Sequence, residues 1–188
     1  MQNAVIEKII EKVGLFSQHS IRALHYCLSD VVYGATDGVI TTFTIISGVE
    51  GAKLDPKIAV ILGLVNLIAD GLSMGASRFL SSRAENAANR LSHGYKEPLK
   101  HGLATFLAFI LLGGLPLISF FIPDFFEHRF SISCVMTIMI LSFIGMLRAI
   151  VTKEDWLKSV FEMMLIGGFV AILAYFSGHV LARAQWIH

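Results

Sequence analysis

The chain has 188 residues, of which 55% are hydrophobic and only 15% charged, against about 25% charged in soluble domains. Its mean hydropathy is +0.69, more apolar sequence than a water-soluble core absorbs, so composition points to an integral membrane protein. The formal net charge of +1 gives no overall pull toward nucleic acid, and Cys27 and Cys134 suggest neither a disulfide framework nor a zinc motif.

Residues 1–28 read as a cytoplasmic, amphipathic segment. Val5, Ile6, Ile9, Ile10 and Val13 recur at helical spacing opposite Glu7, Lys8, Glu11 and Lys12, the pattern of a helix lying on a membrane surface or against the protein body. Charges interrupt it too often for a signal peptide. Five transmembrane helices follow, over 29–48, 57–80, 103–122, 131–150 and 159–181. The expected fold is therefore an all-α integral membrane domain spanning 1–188, with five transmembrane helices after an N-terminal amphipathic helix. Pro56 suits the first turn of the second helix. The polar stretch after that helix reads as a helical extension plus a connector. Gly113, Gly114 and Pro116 should kink or unwind the third helix. Trp186 is placed as an interface anchor.

Lys and Arg set the expected orientation. Lys8, Lys12 and Arg22 precede the first helix, Arg83, Arg90, Lys96 and Lys100 follow the second, and Arg148, Lys153 and Lys158 flank the loop after the fourth. The other side carries fewer. The N-terminus is expected in the cytoplasm and the C-terminus on the far side.

Two carboxylates break the apolar run of the first helix. Asp30 and Asp37 are seven residues apart, hence on one face and about 10 Å apart along the axis. A carboxylate near the centre of a membrane helix costs about 2.5–3.5 kcal/mol on insertion scales, which marks it as a functional candidate. Asp30 lies nearer the cytoplasmic end, where a structural and a functional role weigh equally. Gly34 and Gly38 lie near the same face and allow a second helix to come close. In the second helix Asn66, Asp70 and Met74 fall at i, i+4 and i+8, one slanting stripe, with Ser73 and Ser77 nearby. Facing the first helix, this stripe would put carboxylates, an amide and a thioether along one polar path. Oxygen ligands alone suit Mg²⁺ or Ca²⁺; a thioether helps a softer divalent ion such as Fe²⁺. Carboxylates also carry protons. Met74 alone, like the other methionines, reads as core filler. Arg78 reads as a snorkelling residue. His25, His93, His101 and His179 have no ligand spacing. No nucleophile–base pair or HExxH set suggests an enzyme.

The first helix's DGVITTFTIISGVEGA followed by the second helix's ADGLSMGASRFLSSRAE resembles the vacuolar iron transporter family of divalent-metal/proton exchangers. The likeness covers those two helices closely; the other three fit in number and orientation. It implies five membrane helices per subunit and a homodimer with the path between subunits. It implies that Asp37 and Met74 bind the metal, with Asp30 a second acidic position on the path and Asn66 standing where an acidic residue is expected. About twenty residues separate the second and third helices, with Glu85 and Glu97 their only acids. The chain therefore resembles a short-loop branch that lacks the cytoplasmic glutamate-rich domain.

The expected function is export of Fe²⁺ or Mn²⁺ from the cytoplasm, with protons as counter-ion and no permanently bound cofactor. The metal ligands would be Asp37, Met74, Asp70 and Asp30; Asn66, Ser77, Gly34 and Gly38 would line the path. The partners are divalent metal ions, membrane lipid and a second copy of the chain. The membrane is the cell membrane in a prokaryote or the vacuolar membrane in a eukaryote. The alternative is a non-transporting scaffold whose glycine-rich helices serve assembly.

Overall fold

The computed structural model describes residues 28–89, 94–122 and 127–184. The amphipathic segment and Trp186 lie outside them. The described residues form helix α1 over 28–51, α2 Pro56–Ala88, α3 Lys96–Gly113, a 3₁₀ helix Leu115–Phe120, α4 Arg129–Thr152 and α5 Trp156–Arg183. No strand occurs among them. Four segments are long and apolar enough to cross a membrane: Pro56–Ala88, Lys96–Phe120, Arg129–Ile150 and Trp156–Arg183.

Helix α1 is rich in β-branched residues, which are poor helix formers in water. Three of its four threonines pair their hydroxyls within the helix, while the buried Thr42 hydroxyl has no partner. Thr36 donates to the Val32 carbonyl at 2.7 Å, Thr41 to Asp37 at 2.8 Å and Thr44 to Ile40 at 2.6 Å. Such i−4 bonds keep polar side chains paired where water is absent. Helix α2 begins as its sequence demands: Pro56 occupies the first turn, and the Asp55 carboxylate accepts from the Lys57 amide at 2.8 Å. It runs on to Ala88, well past the apolar residues, as the extension predicted.

The third helix differs from expectation at its start. It begins at Lys96 rather than near 103, because its first turns are helical though polar, with Pro98 tolerated in the opening turn. It breaks where expected. After Gly113 the chain tightens into the 3₁₀ helix, with Pro116 in its first turn. The Pro116 carbonyl accepts from Ser119 at 3.2 Å and from Ser133 of α4 at 3.0 Å, so a carbonyl at the break stays satisfied.

Helix α1 is the centre of the packing. One cluster joins Val32, Ala35 and Val39 to Ala108 of α3 and to Leu141 and Ile144 of α4. A second joins Ile46 and Val49 to Ala59 and Leu67 of α2, Phe109 of α3 and Leu117 of the 3₁₀ helix. Glycines set the spacing. A Cβ on Gly34 would strike the Thr105 carbonyl, one on Gly38 the Phe109 carbonyl, and one on Gly113 would lie 2.7 Å from the Gly38 carbonyl carbon. Helices α1 and α3 therefore run in the same direction in backbone contact. Gly75 and Gly102 bring α2 and α3, which run antiparallel, equally close: a Cβ on Gly102 would lie 2.6 Å from the Gly75 oxygen.

Candidate functional site

Asp37 on α1 and Asp70 on α2 are both half-buried. Asp37 lies beside the buried Gly38 of α1, and its backbone carbonyl accepts from the Thr41 hydroxyl. Asp70 on α2 lies close enough to act on it electrostatically. Neither makes an ion pair among the described residues. A cation placed between two such carboxylates relieves their repulsion and is held more strongly than in water.

One turn from Asp70, Asn66 is half-buried. Its Nδ2 is buried and has no hydrogen-bond partner, a state that buried polar groups rarely keep. One turn the other way, Met74 packs against the cluster of Leu67 and Phe109. The predicted stripe is thus real as a row of half-buried side chains on α2, with Ser73 and Ser77 exposed beside it.

Asp30 has a different setting. It is 3% exposed. Its Oδ1 accepts from Arg78 Nε at 2.6 Å, and its Oδ2 contacts His101 Nδ1. Arg78 also reaches Glu85 at 3.6 Å. Asp30 is therefore engaged by an α2 cation and an α3 imidazole. Arg78, expected to snorkel, is instead its ion-pair partner. His101, set aside for lack of ligand spacing, belongs to this cluster. Spacing along the chain has no bearing on residues that meet across three helices; the signal available was only an unpaired Asp and an unpaired Arg within apolar sequence.

Register follows from these contacts. On α1 seven residues separate Asp30 from Asp37, and on antiparallel α2 eight separate Arg78 from Asp70. The Asp30–Arg78 pair thus closes one end of the α1–α2 seam, and the Asp37–Asp70 pair lies about 10–12 Å deeper along it. Gly34 and Gly38 face α3 rather than the seam, so the second helix they admit is one of the same chain. Among the described residues no group of three or more His, Cys, Asp or Glu is gathered in metal-binding geometry. Arg148 Nη1 donates to Glu162 at 2.6 Å and ties α4 to α5.

A family model described as the VIT family matches residues 28–93 and 87–179. The chain is 29% identical over 161 residues to vacuolar iron transporter homolog 1 of Arabidopsis thaliana, covering 79% of this chain and 80% of that one. It is 24% identical over a 232-residue alignment to the vacuolar iron transporter of Plasmodium berghei, covering 87% and 84%. The vacuolar iron transporter of Toxoplasma gondii is 26% identical over 220 residues, with 80% and 73% covered. The matched residues run through all five helices, well beyond the two that carry the motifs, and on that ground the chain belongs to the VIT family.

Proposed function

We propose that the protein transports a divalent metal ion, Fe²⁺ or Mn²⁺, out of the cytoplasm in exchange for protons. The observation that carries this reading is that Asp37 and Asp70, half-buried at matching depths of the α1–α2 seam set by the Asp30–Arg78 contact, have no described ion-pair partner. Packing alone does not call for such a pair. The names of the relatives support iron as a substrate.

Asp37 and Asp70 supply charge to the ion. Met74 supplies a thioether that favours Fe²⁺ over harder ions. Asn66 contributes an amide to the path, and Ser77 a hydroxyl toward one end. Asp30 acts through Arg78 at the mouth of the seam, assisting entry rather than holding the ion alone. When the metal leaves, the two carboxylates take up protons, which keeps the buried charge low and gives the exchange its return step. Divalent ions of this kind prefer about six ligands, and one chain offers fewer. A homodimer with α2 of each copy at the path would double the donor set. The N-terminus lies in the cytoplasm in this reading, so the seam mouth at Asp30 opens toward the metal's source.

The test is metal flux in proteoliposomes with an imposed pH gradient. The purified protein should move Fe²⁺ or Mn²⁺ and move protons in the opposite direction. Liposomes that show no metal flux above empty vesicles, with either ion and either gradient, would sink the reading.

A further inference from the structure

Arg78 stands between two carboxylates of unlike setting. Its Nε donates to Oδ1 of buried Asp30 on α1 at 2.6 Å, and its Nη1 lies 3.6 Å from Oε1 of Glu85, whose side chain is 60% exposed. The contact with Asp30 runs through Nε, without the paired N–H fork that makes arginine–carboxylate contacts strongest. Glu85 lies seven residues beyond Arg78 on α2, two turns on along the same face. Its Oε1 accepts from Ser81 at 3.3 Å, which holds the oxygen nearest Arg78 in place. The other oxygen of Asp30 meets His101 of α3. One guanidinium thus fills the cation position at the mouth of the seam and already lies within ion-pair reach of a second carboxylate.

We propose that Arg78 is a tethered plug, which occupies Asp30 until a divalent cation arrives and then moves onto Glu85. This rests on the reading of the protein as a divalent-metal transporter and says how its entrance is kept shut. The exchange keeps every charge paired. The arriving ion takes the Asp30 carboxylate, with His101 beside it, and Arg78 goes to a carboxylate in contact with water. Neither a bare buried carboxylate nor an unpaired guanidinium is left behind, the two states that make breaking a buried ion pair costly. A monovalent ion brings no more charge than the guanidinium it displaces, whereas a divalent ion brings twice as much. The plug therefore selects for divalent ions before they reach the level of Asp37 and Asp70. Glu85 acts through Arg78 and is not itself a ligand of the ion.

Titration of the full chain in detergent with Mn²⁺ alone tests this, read by loss of the free-ion EPR signal, which needs no transport. An Asp37→Asn background separates the mouth from the deeper carboxylates. Arg78→Gln removes the competitor and should tighten binding about tenfold, as for a site otherwise occupied nine-tenths of the time. Glu85→Gln and Glu85→Asp should each weaken binding several-fold. The aspartate keeps the charge and only shortens its reach, so an equal loss in both marks contact with Arg78 rather than the general field. With Arg78→Gln already in place, Glu85→Gln should change nothing further. If Arg78→Gln does not fold, the two Glu85 variants, altered at an exposed side chain, decide alone. Binding unchanged in both Glu85 variants overturns the proposal, as does an equal loss from Glu85→Gln with and without Arg78, or no Mn²⁺ binding in any variant. A protein that shows these shifts yet moves no metal in liposomes fails as a transporter while Arg78 still guards a cation site; one that moves metal without them has no plug.

Discussion

Asp37 makes no ion pair among the described residues, and its value to the protein is open to direct test. Asp37→Asn keeps shape and hydrogen-bonding capacity and removes the charge. Metal flux should fall at least a hundredfold while yield and thermal midpoint hold or rise, since a buried carboxylate's insertion cost disappears. Normal flux in this variant would place the site elsewhere. Met74→Leu keeps volume, and swaps of this kind cost under about 1.5 kcal/mol. Fe²⁺ flux should drop several-fold and Mn²⁺ flux less; equal flux for every ion would leave Met74 as packing alone. Arg78 behaves differently. Arg78→Ala strands Asp30, 3% exposed, without its cation, a loss of about 3–5 kcal/mol in stability. The double change Asp30→Asn, Arg78→Gln should restore most of the unfolding midpoint. Asp37 and Asp70 were legible in the sequence because a charge inside apolar residues stands out at once. The partner of Asp30 was not, since Arg78 and His101 lie 48 and 71 residues away and nothing local marks them.

At the scale of the helices, glycine placement governs the approach of α1 to α3. Gly38→Val inserts a branched side chain against the Phe109 carbonyl and should lower stability by more than about 2 kcal/mol. Gly168→Ala, in open space, should be close to neutral. A Gly38→Val protein as stable as the parent, by chemical unfolding in detergent, would contradict the backbone contact. The break at Gly113, Gly114 and Pro116 was readable because those residues cannot continue a helix smoothly. The start of α3 at Lys96 was not, because polarity speaks to the surrounding medium and is silent on helicity. The same ambiguity hid the partner of Gly34 and Gly38. Small residues announce a close contact without saying whether the other helix belongs to the same chain.

For the whole molecule, assembly and orientation can be checked together. With α1 enclosed by α3, α4 and α5, the surface left for a second copy near Asp70 is the exposed face of α2. Single cysteines replacing Ser73 or Ser77, in a background lacking Cys27 and Cys134, should cross-link between copies in membranes. A protein that stays monomeric in mild detergent and gives no cross-link at either position would rule out a path shared between copies. A cysteine appended beyond Trp186 should react with an impermeant thiol reagent from the non-cytoplasmic side; reaction only from the cytoplasmic side would reverse the orientation.

The central position of α1 also has a consequence in time. The ribosome makes this helix before any of its partners, and it carries two carboxylates, Asp30 and Asp37, within its apolar run. Asp30 meets its arginine only after 48 further residues and its histidine after 71. At about 5–20 residues per second that is a wait of several seconds. Until α2 and α3 are made, the carboxylate that ends up buried at Asp30 has neither of these partners. The last-made hairpin then closes over a helix that was synthesised first and seated late.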